Sequence, residues 1–385
     1  MNSRVRVAVL GSTGSIGRQA LDVLEAHSDR FEVVALAAGR GESAFSEQVA
    51  RHQPSHTALA KDGPDALADM AAIPEVDLVL VGTPGIVSLV PTLAALERGK
   101  LVATANKETL VSGGHLVMPL ARDLAQKHGF QDAATGALNW LRPIDSEHSA
   151  IWQCLTGERR EDVARLILTA SGGPFREWSG DRMQSVTPAE ALAHPTWRMG
   201  AKITVDSATL MNKALEVIEA RWLYDFADDQ VDVVVHPQSV IHSMVEFVDG
   251  SIKAQLGQPD MRLPIQYAIT YPERLPSPAP RLAAAGIPTL GFEPVDTARF
   301  PALEIGRRAG QQGPRASAAL IAADDIAVDR FLAGSLSFTD IADLCADAVA
   351  RFGDGPAPDL LGLLALDAEV RAWAATATPA GASRP

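Results

Sequence analysis

Along the first 105 residues, short apolar runs alternate with stretches of helical spacing. Val5-Arg6-Val7-Ala8-Val9-Leu10 ends in a glycine cluster, helical spacing follows from Gly17 to Ala26, and Glu32-Val33-Val34-Ala35-Leu36-Ala37 reads as a second strand. Val76-Asp77-Leu78-Val79-Leu80-Val81 and Lys100-Leu101-Val102-Ala103-Thr104 continue the series, with helices between. Near-continuous apolar strands separated by helices predict a parallel, doubly wound sheet buried on both faces. From Arg165 the pattern changes. Leu166–Ala170 and Val231–Val235 read as strands and Ser207–Tyr224 as one helix. Val240–Phe247 and Ile252–Leu256 read as a hairpin about Asp249-Gly250. These features predict an α+β second domain. Seven prolines between Pro272 and Pro301 exclude regular helix and predict an extended linker. Alanine-rich segments beyond it predict a helical bundle. The expected division is 1–144, 145–275, a linker at 276–298, a helical domain at 299–374 and a disordered tail at 375–385.

Composition narrows the function class. A length of 385 residues, at roughly 150 per domain, suits two or three domains. Hydrophobic residues at 47% and charged residues at 21% exclude a disordered or fibrous chain. The net charge of −13 repels a phosphate backbone and argues against nucleic acid as a partner. An anionic ligand must then be held by a local concentration of donors. No apolar run approaches the ~18–20 residues of a membrane span, and the N-terminus lacks a signal-peptide core, so no membrane partner is expected. Cys154 and Cys345 stand far apart without a CxxC, which predicts neither a disulfide framework nor a zinc knuckle and suits the cytoplasm.

The candidate chemistry begins at Gly11-Ser12-Thr13-Gly14-Ser15-Ile16-Gly17, between the first strand and the first helix. This GxxGxxG turn lets backbone approach a pyrophosphate at a helix N-terminus, the device of a Rossmann-type dinucleotide domain. The end of the second strand reads Ala38-Gly39-Arg40, with no carboxylate for a ribose hydroxyl but a guanidinium for a 2′-phosphate. NADP is therefore favoured over NAD. Asp145-Ser146-Glu147-His148, taken as extended chain, puts two hard oxygen donors on one side, as Mg²⁺ or Mn²⁺ requires. A bare DxE pair is as readily solvated surface. In the helix from Ser207, Asp206 reads as the N-cap, Ser207 and Lys213 as a phosphate seat, and Asn212 and Glu216 share a face. Ser171-Gly172-Gly173-Pro174-Phe175 closes a strand in a glycine turn suited to an anion. The polar stretch Arg176–Arg198, with His194-Pro195-Thr196-Trp197, reads as a lid. Asn106-Lys107-Glu108 stands at the carboxyl edge of the sheet, where such folds bind ligands.

Together these segments, with Val205–Lys213 and His236-Pro237-Gln238-Ser239-Val240-Ile241-His242-Ser243, resemble the 1-deoxy-D-xylulose 5-phosphate reductoisomerase family from about residue 5 to 345. The resemblance implies Asp145, Glu147 and Glu216 as ligands of Mg²⁺ or Mn²⁺. It implies that Ser171, Ser207, Asn212 and Lys213 hold the substrate phosphate and that His194 closes over it. Lys107 and Ser146 would contact the substrate near the metal, and Trp197 and Met199 would form part of the cover. Thr13, Gly14, Ser15, Ile16, Gly39, Arg40, Gly41, Asn106, Glu108 and Gly200 would contact NADPH. The implied activity is NADPH- and metal-dependent rearrangement and reduction of 1-deoxy-D-xylulose 5-phosphate to 2-C-methyl-D-erythritol 4-phosphate, by a homodimer built through the hairpin. Three positions depart from the family pattern. Gly41 replaces a frequent asparagine, Gly129–Leu141 reads as a surface insertion, and Ile321-Ala322-Ala323-Asp324-Asp325 replaces an asparagine-containing run. An NADP-dependent dehydrogenase of another phosphorylated molecule would need no third carboxylate. A nucleotide-sensing protein would need neither the carboxylates nor Lys107.

Overall fold

The computed structural model describes residues 4–39, 41, 43–63, 65–130, 132 and 134–379. In chain order the elements begin β1 (Val5–Leu10), α1 (Ser15–Ala26), β2 (Phe31–Ala38), α2 (Ser43–His52), β3 (His56–Leu59), α3 (Ala66–Ala72), β4 (Leu78–Val81), α4 (Leu89–Glu97), β5 (Leu101–Thr104) and α5 (Lys107–Lys127). They continue β6 (Leu141–Pro143), α6 (Ser146–Leu155), β7 (Val163–Ala170), α7 (Gly180–Met183), α8 (Pro188–Ala191), α9 (Ala201–Thr209), α10 (Met211–Tyr224), β8 (Val231–Val235), β9 (Ile241–Phe247) and β10 (Ile252–Leu256). The last are α11 (Arg262–Thr270), β11 (Glu293–Pro294), α12 (Ala302–Gln312), α13 (Pro314–Leu332), α14 (Asp340–Phe352) and α15 (Leu360–Ala374). The chain divides into two compact units. One comprises Met1–Thr109, Leu116–Asp162 and Lys253–Gly286, and the other Leu110–His115, Val163–Ile252 and Ile287–Pro385.

The first unit holds the expected parallel sheet, six strands in the order β3-β2-β1-β4-β5-β6. Order reverses on either side of β1, the switch point that makes a doubly wound fold a ligand binder. Two of its strands, β3 and β6, are not legible as apolar runs. They are edge strands of four and three residues, and β6 includes Pro143, which an edge tolerates. The core joins Val7, Val9, Leu36, Leu78 and Leu80 of the sheet to Leu21 and Leu24 of α1. It also takes Ile265, Ala268 and Ile269 from α11, so the chain returns to this unit after residue 252. The connector Gly129–Leu141 departs from the expected surface insertion, because Ala134, Ala137 and Leu138 are buried.

In the second unit β9, β7, β8 and β11 lie side by side in that order, with β7–β8 parallel and β7–β9 and β8–β11 antiparallel. The mixture matches the expected α+β pattern. The turn at Asp249-Gly250 is closed by the Phe247 N–H on Ser251 O at 2.9 Å, and Gly250 takes φ +84°. The prolines from 272 to 301 permit only a 3-10 turn at Ala284–Gly286 and the short β11. Helices α12–α15 follow, their alanines buried along α13. Arg330 donates to the Ala374 and Ala377 carbonyls at 2.7 Å each, and the rest of the expected tail, residues 380–385, lies outside the described residues.

One expected element is divided. The stretch read as a single helix from Ser207 to Tyr224 is the end of α9 and the whole of α10, meeting at Leu210 with φ 63° and ψ 14°. Thr209 stitches the break: its Oγ1 donates to Asp206 O at 3.2 Å and accepts from Met211 N at 3.2 Å. Neither glycine nor proline marks the corner, and the apolar spacing runs through it.

Candidate active site

The nucleotide edge of the first unit is built by small residues. Gly11 has φ +84°, and a Cβ there would lie 2.8 Å from the Gly82 backbone. A Cβ on Gly17 would collide with Gly11 O and Ser12. The turn therefore folds tightly enough that Thr13 and Gly14 lead straight into α1, whose N-terminal residues are Ser15 and Ile16. Gly14 caps the helix with no side-chain acceptor, and the first turn carries no acid. Its N–H donors and positive dipole end are left for an anion. Gly39 follows β2 with open space about its Cα, and Gly41 lies against Leu59 Cδ1, 2.9 Å from where a Cβ would stand. Arg40 lies outside the described residues.

Asn106 does structural work that its spacing did not announce. Its Oδ1 caps α5 by accepting from Thr109 N at 2.7 Å, while Nδ2 donates to Thr83 O and Gly85 O at 3.0 Å each. It thereby ties the loop after β4 to the loop after β5 at the carboxyl edge. Glu108 sits in the first turn of α5. The next residue along the edge, Lys107, is nearly buried and pairs with Asp145.

Asp145 and Glu147 are not in extended chain. Asp145 is the N-cap of α6, its Oδ1 accepting from Glu147 N at 3.0 Å and His148 N at 3.3 Å. Asp followed by helix-compatible residues initiates a helix because its carboxylate satisfies the first free N–H groups. Ser146 Oγ donates to Glu147 Oε2 at 2.7 Å. Asp145, Ser146, Glu147 and Lys107 thus cluster where the strands of this sheet end, supplying hard oxygen donors beside a cation.

The second unit presents the other candidates. Ser171 directly follows β7, and its Oγ meets His194 Nε2 at 2.9 Å. His194 Nδ1 accepts from Thr196 N at 3.1 Å and Trp197 N at 2.9 Å, so the neutral ring carries its proton on Nε2 and donates it to Ser171. Burial lowers the His194 pKa. The Trp197 ring lies 6.0 Å from that of His242, Met199 is half-buried, and Gly200 caps α9.

Asp206 is not an N-cap. It lies inside α9, 3% exposed, and its Oδ2 accepts from Lys202 Nζ at 2.7 Å. Ser207 accordingly belongs to the last turn of α9, and the nearby helix N-terminus is that of α10. Asn212 and Lys213 stand in the first turn of α10, and Asn212 Nδ2 donates to Glu216 Oε1 at 2.6 Å, as the four-residue spacing predicts. Lys213 pairs with the other oxygen of Glu216, which is fully buried. Lys202 stands four residues before Asp206, a spacing that the sequence shows and that places the two on one helix face.

The 1-deoxy-D-xylulose 5-phosphate reductoisomerase family model matches residues 7–63 and 57–114, its C-terminal-domain model 141–224, and the DXP reductoisomerase C-terminal domain 256–373. The chain belongs to the 1-deoxy-D-xylulose 5-phosphate reductoisomerase family. A relative from Thermomicrobium roseum with that name is 48% identical over 385 residues, covering 96% of each chain. A crystal structure of a DOX-P reductoisomerase in complex with NADPH, fosmidomycin and magnesium superposes with a TM-score of 0.86 at 36% identity, covering 96% of this chain and 97% of that one. The Zymomonas mobilis reductoisomerase in complex with NADPH gives a TM-score of 0.85 at 39% identity, covering 97% and 98%.

Proposed function

We propose that this chain carries out the reaction of its family, converting 1-deoxy-D-xylulose 5-phosphate to 2-C-methyl-D-erythritol 4-phosphate on the route to isoprenoid precursors. The observation that carries the reading is the Asn212–Lys213–Glu216 face of α10, a carboxylate and phosphate donors on one turn, in a chain that matches the family almost end to end. The residues fit both groups the reaction needs. An uncapped, acid-free α1 N-terminus behind a glycine cradle suits the pyrophosphate of NADPH. The carboxylates Asp145, Glu147 and Glu216 are a hard donor set for Mg²⁺ or Mn²⁺, and buried Asn212 Oδ1 still lacks a partner. When bound, the ion supplies Lewis acidity toward the ketone and its neighbouring hydroxyl, and NADPH supplies the hydride.

The rest is done by the chain. Ser171, Ser207, Asn212 and Lys213 hold the phosphate, far from the reacting carbons, so that binding energy can be used to order the lid. The Nε2–H of His194 donates a hydrogen bond to Ser171 Oγ and orients that hydroxyl. Trp197 and Met199 exclude water over the substrate. Lys107 and Ser146 orient the substrate beside the carboxylates. By the family resemblance, Thr13, Gly14, Ser15, Ile16, Gly39, Arg40, Gly41, Asn106, Glu108 and Gly200 would contact NADPH.

We further place the enzyme in the cytoplasm as a homodimer. Free, buried Cys154 and Cys345 support the first, and Val248, 67% exposed beside Ile252 at 54%, supports a partner at the hairpin. Among the described residues no helix is long and apolar enough to cross a membrane. The test is NADPH oxidation with 1-deoxy-D-xylulose 5-phosphate, with and without Mn²⁺ or Mg²⁺. Turnover only with the ion is expected, and none from folded, metal-loaded protein would overturn the reading. Glu216→Gln should cripple turnover while leaving NADPH affinity intact. A plain dehydrogenase would retain its rate.

A further inference from the structure

Beneath the corner between α9 and α10 lies a charged network that the reaction does not use directly. Lys202, in the first turn of α9, reaches Asp206 at 2.7 Å, Asp325 of α13 at 3.5 Å and, more closely, Asp324 of α13. Arg371 of α15 pairs with Asp325 and, at 2.7 Å, with Asp367. Four carboxylates thus meet two cations. Asp324 is fully buried and Asp206 nearly so, and Asp206 Oδ1 lacks a hydrogen-bond partner. Burial pushes both carboxyls above the ordinary carboxylate range. A network this short of positive charge costs desolvation energy and would serve stability less well than apolar packing. Its placement points to another use.

The main chain of Asp206 is part of the break that sets α10 in direction. Its carbonyl accepts from Thr209 Oγ1, and that oxygen accepts from Met211 N, the first residue of α10. Ser207 follows Asp206 directly, and Asn212 and Lys213 open α10. We propose that Lys202 is a positioning residue that, by clamping Asp206 of α9 to Asp324 of α13, fixes the α9–α10 corner so that Ser207, Asn212 and Lys213 are presented together to the substrate phosphate. The proposal rests on the reading of those three residues as the phosphate grip.

The test uses the full-length protein with Mg²⁺ and NADPH, and reads KM and kcat for both substrates with the Ki of inorganic phosphate against 1-deoxy-D-xylulose 5-phosphate. Lys202→Met should raise that KM and the phosphate Ki together by about tenfold or more, with the NADPH KM within about twofold. Lys202→Arg, whose fork reaches both acids, should restore both constants to within about threefold. The double variant Lys202→Met with Asp324→Asn removes the stranded buried charge and should recover thermal stability. It should not recover the phosphate Ki. Recovery of both together would reduce Lys202 to a charge-balancing role and overturn the proposal, as would an unchanged Ki in Lys202→Met. Lys213→Met is the reference. If its phosphate Ki is normal, the phosphate reading itself falls, whereas a weakened Ki there and a normal one in Lys202→Met sinks only the role of Lys202.

Discussion

His194 shows how much one side chain's hydrogen bonds determine. With Nδ1 accepting from two backbone N–H groups, a second ring proton has nowhere to go, and burial adds to the cost of charge. A base whose folded pKa lies below its unfolded value binds its proton more readily when unfolded. Its contribution to stability is therefore complete above the ordinary value of 6.5 and is lost as pH falls below it. Urea unfolding of the wild type and of His194→Gln should differ most above that pH and converge at pH 5. A gap that stays constant with pH would show that burial does not hold the His194 ring neutral in the folded chain. The residue pairing itself was only half visible in the sequence. The lid histidine and the strand-ending serine were both readable, but their 23-residue separation says nothing of contact until the turn at Gly172-Gly173 brings them together. Asn106 makes the same point, since its cap was a local matter while its grip on Thr83 and Gly85 depends on the neighbouring strand.

Among elements, the corner at Leu210 was the least legible feature and the most consequential. Helical periodicity runs unbroken across it, and a left-handed leucine gives no compositional warning. The strand-ending glycine turn, by contrast, was visible and proves to be what the corner packs on. Gly173 has φ +64°, and a Cβ there would stand 2.8 Å from Ser207 O and 3.0 Å from Ala208 Cα. Glycine is required twice over, by conformation and by the approach of α9. Gly173→Ala must displace either the turn bearing Ser171 or the last turn of α9 bearing Ser207, at a cost of about 1–3 kcal/mol. Steady-state kinetics should show a KM for 1-deoxy-D-xylulose 5-phosphate raised about tenfold or more, with the NADPH KM near normal. An unchanged substrate KM would mean that the two serines do not share one ligand. Likewise the DxE pattern at the start of α6 serves a strand and a helix N-terminus equally well, and only the capping geometry of Asp145 separates them.

For the whole molecule, the alternation of the first 105 residues specified the parallel sheet, but linear spacing could not tell which sheet a later helix covers. The segment after the hairpin, with α11, returns to the first unit, because Ile265 and Ile269 find their apolar partners on α1 and the sheet. Net charge raises a further question at this scale. A chain at −13 must gather two anionic ligands, and its candidate metal ligands are themselves carboxylates. A cation that binds only the folded chain answers both, and it stabilises by mass action, about 2.7 kcal/mol at a hundred times its dissociation constant. Thermal unfolding without substrate should therefore shift upward with Mn²⁺ concentration. Glu147→Gln tests the assignment well, since Glu147 is only half-buried and an amide oxygen can still accept from Ser146 Oγ. Its metal-free midpoint should stay close to that of the wild type, its response to NADPH should persist, and most of its response to Mn²⁺ should vanish. Equal Mn²⁺ shifts in the two proteins would remove Glu147 from the site. The acidic surface would then have to be offset at the phosphate and nucleotide ends alone, by Lys213 and the N-termini of α1 and α10.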